Sequence, residues 1–184
     1  MRTTPLTIAL AALTLSATAP AFATLAIGSK APDFSTQATL GGKPFPFALS
    51  TALKKGLVVL YFFPKVFTSG CTVEAHDFAE ATADFTKAGA TVIGVSADSI
   101  EELSKFSTLE CRNKFAVAVA TPSMIKDYDS KLGIPFMGGR SNRTSYVIAP
   151  DGKIIYAFSA LAAAGHVKNT LEAVRKYQTA HKKG

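Results

Sequence analysis

Two uninterrupted apolar runs, LVVLYFF at Leu57 to Phe63 and ATVIGVSA at Ala90 to Ala97, restrict the chain more than any other feature. Continuous β-branched and aromatic residues without a polar alternation suit strands buried on both faces of a covered sheet. Between them Ala75, Phe78, Ala79, Thr82 and Phe85 recur at three- and four-residue spacing, with Gly89 as the stop. That pattern predicts an amphipathic helix. Strand, helix and strand within about 40 residues form a βαβ unit, which requires parallel strands and a right-handed crossover.

The rest of the chain must pack around that unit. DSIEELSKF predicts a helix capped by Asp98 or Ser99, with acids in its first turn. FAVAVA, Phe115 to Ala120, predicts a third strand. TSYVIAPDGKIIYAF reads as two strands joined by a Pro-Asp-Gly turn, an antiparallel hairpin. His166 to Thr179 predicts a closing amphipathic helix. The expected class is α/β, a mixed central sheet with helices on both faces. This is the outline of a thioredoxin-like fold, although the pattern by itself carries only α/β.

Residues 1–23 are expected to be a cleaved secretory signal and residues 24–184 a single domain. Arg2, the apolar stretch Leu6 to Leu15 and the small-residue close AFA at Ala21 to Ala23 follow the order of such signals. The stretch is too short and too rich in Ala and Thr for a span of about 20 strongly apolar residues. The expectation is export without stable membrane insertion. About 160 residues remain, enough chain for one core. The formal charge of +7 is scattered, and its one cluster, HKKG at His181 to Gly184, reads as a solvated end. No nucleic-acid partner is expected.

The chain has two cysteines, Cys71 and Cys111. In an exported protein an even count admits a structural disulfide. The setting of Cys71 admits a reactive thiol as well. A thiol reacts as thiolate, which a helix N-terminus and a nearby cation favour. Cys71 stands at the predicted start of the helix, after Pro64, Thr68 and Gly70. Pro64 ends the strand and removes a donor. Thr68 can cap the helix or hydrogen-bond a bound group, and Gly70 allows close backbone approach. Each also has an ordinary structural role. His76 beside Cys71 matches no metal-ligand spacing and reads as a surface or core histidine.

The spacing Pro64-x-x-x-Thr68-x-x-Cys71 resembles the active-site signature of the peroxiredoxins, thiol-dependent peroxidases of thioredoxin-like fold. YFFPKVFTSGCTVEAHDF is similar to the strand, loop and helix of the bacterioferritin-comigratory, or peroxiredoxin Q, subfamily. APDF at Ala31 to Phe34 resembles its N-terminal strand, VIGVSADS at Val92 to Ser99 its second βα junction, and RTSYVIAPDGKI at Arg143 to Ile154 its hairpin. The resemblance implies reduction of hydrogen peroxide and organic hydroperoxides by Cys71 as peroxidatic nucleophile, through a sulfenic acid. It implies that Thr68 hydrogen-bonds the peroxide, Pro64 shields the thiolate, Arg143 supplies positive charge, and Glu74 orients Arg143. It further implies no metal or organic cofactor, a thiol reductant such as a thioredoxin-like protein, and a monomer or weak dimer; with the signal-like residues 1–23, the expected location is the periplasm of a bacterium.

Two positions depart from that pattern. Ser69 stands where the family commonly has proline, and His76 where many members carry the resolving cysteine. Other members place that cysteine on the following helix, at a position that falls on Ser107. Cys111 lies one turn further along the same face if that helix continues unbroken. The resemblance therefore makes Cys111 the expected resolving cysteine, through an intramolecular Cys71–Cys111 disulfide. Three alternatives stay open: Cys111 as a core residue of a one-cysteine enzyme resolved by an external thiol, a permanent staple in a non-catalytic protein, or an envelope thiol–disulfide oxidoreductase. The last uses a C-x-x-C pair, and Thr72, Val73 and Glu74 follow Cys71 instead.

Overall fold

Residues 24–134 and 138–181 are described by the computed structural model of the chain. The expected signal, residues 1–23, and residues 182–184 of the basic tail lie outside them. The elements run β1 (Ser35–Leu40), β2 (Lys43–Ala48), α1 (Leu49–Leu53), β3 (Leu57–Phe62), α2 (Ser69–Lys87), β4 (Ala90–Ser96), α3 (Ile100–Leu109), β5 (Ala116–Val119), α4 (Pro122–Asp127), β6 (Thr144–Ile148), β7 (Ile154–Ser159) and α5 (His166–His181).

The expected βαβ unit is β3, α2 and β4, with Leu57 paired to Ala90 and Phe62 to Val95 in parallel. It forms the middle of a seven-stranded sheet ordered β2-β1-β5-β4-β3-β6-β7. The expected hairpin, β6 with β7, is antiparallel and adds to the β3 side. Every residue of β3 is buried, because its two faces belong to two cores. Leu57, Val59 and Tyr61 pack with α2, α3 and α5, while Val58, Leu60 and Phe62 pack with α1 and α4. The sheet is mixed and covered by helices on both faces, as the apolar runs required.

Three local expectations change. APDF is not a strand: Ala31 to Phe34 is irregular, and β1 begins at Ser35. The sheet edge is instead a hairpin, β1 with β2, around Gly41 and Gly42. Both glycines take positive φ, 56° and 75°, as a tight hairpin turn demands. Pro44 and Pro46 are tolerated in β2 because it lies at the sheet edge. Of the two cap candidates, Ser99 caps α3, in a reciprocal box with Glu102, and Asp98 does not.

The third change concerns Cys111. α3 ends at Leu109, so Cys111 does not extend its face by another turn. The amide of Cys111 donates to Phe106 O at 3.0 Å, and that of Asn113 to Ser107 O at 3.1 Å. Arg112 and Asn113 adopt left-handed φ of 51° and 58°. The chain turns sharply there and carries the Cys111 side chain into the α2/α3/α5 core. Among the described residues no helix is long and apolar enough to cross a membrane.

Candidate active site

β3 delivers the chain to Pro64, and the loop from Pro64 to Thr68 returns it to the head of α2. Four hydrogen bonds hold that loop and the groups that anchor it. The Val66 amide donates to Asp98 Oδ2 at 2.9 Å, and Ser96 Oγ donates to the same oxygen at 2.7 Å. Arg140 Nη1 donates to Pro64 O at 3.1 Å, and Ser141 Oγ to Phe63 O at 2.8 Å. Buried Asp98 therefore anchors the loop rather than capping a helix. The loop closes through Phe67, a non-glycine residue at φ 59° whose ring meets Phe106 edge-on. Such a conformation persists only where its surroundings determine it.

Helix α2 begins two residues before Cys71, so the sulfur sits in the first turn, where backbone N–H groups lack helical partners. Thr68 occupies the N-cap with extended backbone, but its hydroxyl makes no cap. It donates to Lys65 O at 3.1 Å and is exposed. Cys71 is 2% exposed. Arg143, just before β6, reaches it across the end of the sheet, Nη2 donating to Sγ at 3.4 Å. Nη1 donates to Glu74 Oε2 and Nε to Leu161 O at 2.8 Å, so the guanidinium is held from three sides. A Cβ at Gly70 would stand 3.2 Å from Nη2, which explains the glycine there.

Electrostatically the site is a buried cation shared by a sulfur and a carboxyl. Burial alone would lower the Arg143 pKa, but Glu74 and Cys71 outweigh it and raise it. Glu74 lies one turn after Cys71, where burial pushes its carboxyl up to about 8 against the opposing pull of Arg143. Its second oxygen, Oε1, has no hydrogen-bond partner. A guanidinium aimed at a buried sulfur favours thiolate, and it also offers a donor to oxyanion charge developing beside that sulfur.

The structure thus brings together Cys71, Arg143 and Glu74, with Pro64 and Thr68 in the adjoining loop. Cys111 lies in the same apolar cluster, wholly buried, and both cysteines are free thiols. Burial, then Glu110, pushes the Cys111 thiol upward. His76, at the position where many family members carry the resolving cysteine, donates Nε2–H to Glu110 Oε2 at 2.7 Å and so ties α2 to the turn bearing Cys111. Sequence reasoning missed Asp98 as loop anchor, Arg140, Ser141 and the buried His166 behind Glu74. The Arg-Ser-Asn-Arg run at Arg140 to Arg143 was the available signal for Arg140.

Comparison with known proteins places the chain in a family. Residues 27–157 match the sequence model of the AhpC/TSA family. The chain is 30% identical over 161 residues to Peroxiredoxin Bcp of Bacillus subtilis, covering 83% of this chain and 96% of that protein. Peroxiredoxin Bcp of Escherichia coli is 32% identical over 112 residues, 59% of this chain and 72% of that one. Among solved structures, Peroxidoxin BcpB from Mycobacterium tuberculosis superposes with a TM-score of 0.72 at 27% identity, covering 82% of this chain and 96% of that one.

Proposed function

The chain belongs to the AhpC/TSA family, as a thiol-dependent peroxidase of the bacterioferritin-comigratory type, and from that premise we propose that Cys71 is its peroxidatic nucleophile and Cys111 its resolving thiol. The observation that carries the reading is the Arg143 guanidinium, 3.4 Å from the Cys71 sulfur and fixed by Glu74. The thiolate attacks one peroxide oxygen, the S–O bond forms as the O–O bond breaks, and the electron pair leaves on the distal oxygen. Arg143 stabilises that charge until a proton arrives, giving Cys71 sulfenic acid and an alcohol or water. Thr68, at the mouth of the loop, is suited to hydrogen-bond the incoming peroxide, and half-buried Pro64 to keep bulk water off the sulfur.

Cys111 then attacks the sulfenic sulfur, forming the Cys71–Cys111 disulfide and releasing water, and an external dithiol such as a thioredoxin-like protein restores both thiols. Both sulfurs are buried, so the step requires movement. The turn at Arg112 and Asn113 lies beyond the last α3 residue, so moving it leaves the helix itself intact. The basic start and AFA close of residues 1–23 support export to a bacterial periplasm. N-terminal sequencing of envelope protein is expected to begin at Thr24, and a retained Met1 would contradict cleavage.

The test is peroxide-dependent consumption of a thiol reductant by the wild-type protein and by Cys71→Ser. Activity in the variant equal to wild type removes Cys71 from the reaction. After one equivalent of peroxide, peptide mapping is expected to find Cys71 linked to Cys111. Sulfenic or overoxidised Cys71 with free Cys111 would instead mean a one-cysteine enzyme resolved externally.

A further inference from the structure

Behind the Arg143–Glu74 pair lies a wholly buried histidine that the peroxide chemistry above does not use. His166 begins α5, and its ring is 0% exposed. Its Nε2 lies 3.0 Å from Ala160 O, a group that only accepts, so Nε2 carries a proton. Its Nδ1 lies 2.8 Å from Ser145 Oγ and 3.7 Å from Glu74 Oε1. That carboxylate oxygen is buried and without a hydrogen-bond partner. With Glu74 ionised and His166 neutral, Ser145 Oγ donates to Nδ1, and Oε1 alone is left without a donor. One added proton serves that oxygen, either on Nδ1, which then donates to Ser145 Oγ and forms an ion pair with Oε1 at 3.7 Å, or on Oε1 itself.

Charge balance gives the same answer. A Cys71 thiolate and an ionised Glu74 carry two negative charges against the single positive charge of Arg143. A net charge at such depth is costly, and one proton on the Glu74–His166 contact makes the cluster neutral. The other titratable groups near the cluster do not fill this role. Tyr61 from β3 is held protonated by burial, and Asp77, further along α2, adds negative charge near Glu74. Ser145 from β6 is neutral.

We propose that the Glu74–His166 contact is a proton store coupled to the Cys71 thiolate, with His166 a positioning residue of the peroxide-cleaving site. The inference rests on Cys71 as the nucleophile. When Cys71 ionises, the contact holds the balancing proton, and Arg143 meets the sulfur with its charge uncancelled by Glu74. When the O–O bond breaks, the thiolate charge passes to the leaving oxygen. The contact releases its proton as that oxygen is protonated, so thiol and hydroperoxide become sulfenic acid and alcohol with no net proton exchanged. Burial moves the two groups in the directions this requires, lowering His166 to about 4 and raising Glu74 to about 8. They titrate as a pair that holds one proton through the neutral range.

Two reciprocal measurements test it. In His166→Gln, which keeps polar groups but cannot titrate, the midpoint of Cys71 alkylation against pH is expected to rise by about one unit. Peroxide reduction below that midpoint is then expected to fall about tenfold and to recover at higher pH. In Cys71→Ser, the protonation midpoint of the contact, followed by nitrogen-15 NMR of the imidazole, is expected to fall by a similar amount, since linkage is reciprocal. An unmoved alkylation midpoint in folded His166→Gln overturns the proposal, as does an unmoved imidazole titration in Cys71→Ser. The second measurement decides alone if His166→Gln does not fold. Wild-type peroxidase activity in Cys71→Ser would instead overturn the nucleophile assignment beneath it.

Discussion

Cys71 and Cys111 share one apolar cluster and almost the same burial, 2% and 0% exposed, yet only one of them faces a fixed cation. Cys71 stands in the first turn of α2, beneath unpaired backbone amides, with Arg143 Nη2 donating to its sulfur. Cys111 stands past the end of α3, on the side where the helix dipole is negative and next to Glu110, and its thiol is pushed upward by burial. Burial by itself suppresses thiolate. What separates the two sites is a fixed cation and the polarity of a helix end. On the proposed reading, the thiol given both is the nucleophile, and the thiol given neither waits until movement releases it.

Removing the cation should narrow that difference most. Arg143→Met is expected to slow peroxide reduction by about 10²–10³-fold, the range for loss of one preorganised donor. It should also move the Cys71 alkylation profile to higher pH. Stopped-flow peroxide consumption reads the first effect, and a rate within twofold of wild type would mean that Arg143 is only structural. Gly70→Ala probes the same contact more gently, since the new methyl would press on Nη2 from 3.2 Å. A fall in rate of up to about tenfold is expected with unchanged or slightly raised stability, because alanine favours the helix by about 0.5–1 kcal/mol. A parallel loss of rate and melting temperature would contradict that separation.

The smallest effect lies in stability against pH. Glu74 has a folded pKa raised from 4.5 to about 8, so its contribution is full below 4.5 and is lost as pH rises through 8. His166, lowered from 6.5 to about 4, acts in the opposite sense, and its contribution is lost as pH falls from 6.5 to 4. The two nearly cancel between about 4.5 and 6.5, which leaves a decline from about 6.5 to 8. Urea titrations of wild type and Glu74→Gln should show that decline in the former alone. Equal slopes in both would place the lost stability elsewhere.

Much of this contrast was legible in the chain, and the reasons are local. β3 is buried at every position because both sheet faces are covered there, so LVVLYFF could hardly be anything but a central strand. The head of α2 was legible because Pro64, Thr68 and Gly70 each carry a backbone consequence. The end of α3 was not. No glycine or proline marks it, and the turn is made by Arg112 and Asn113 in left-handed conformations, for which Asn113 was the one signal. The Gly41-Gly42 hairpin had its signal and went unread. His166 was placed correctly at the start of a helix, but nothing in GHVKNT reveals a ring buried against Glu74, since that contact joins residues 92 positions apart.

The most direct measurement traps the first product at each sulfur. The Cys111→Ser protein, treated with one equivalent of hydrogen peroxide and a sulfenic-acid-specific carbon nucleophile, is mapped by peptide mass spectrometry. Wild type under the same conditions shows whether Cys111 itself takes the label. The expected result is one adduct, on Cys71, in the variant, and a Cys71–Cys111 disulfide with no adduct on Cys111 in wild type. An adduct on Cys111, or an unlabelled and unoxidised Cys71, would contradict the assignment of Arg143-paired Cys71 as the peroxide-attacking thiolate.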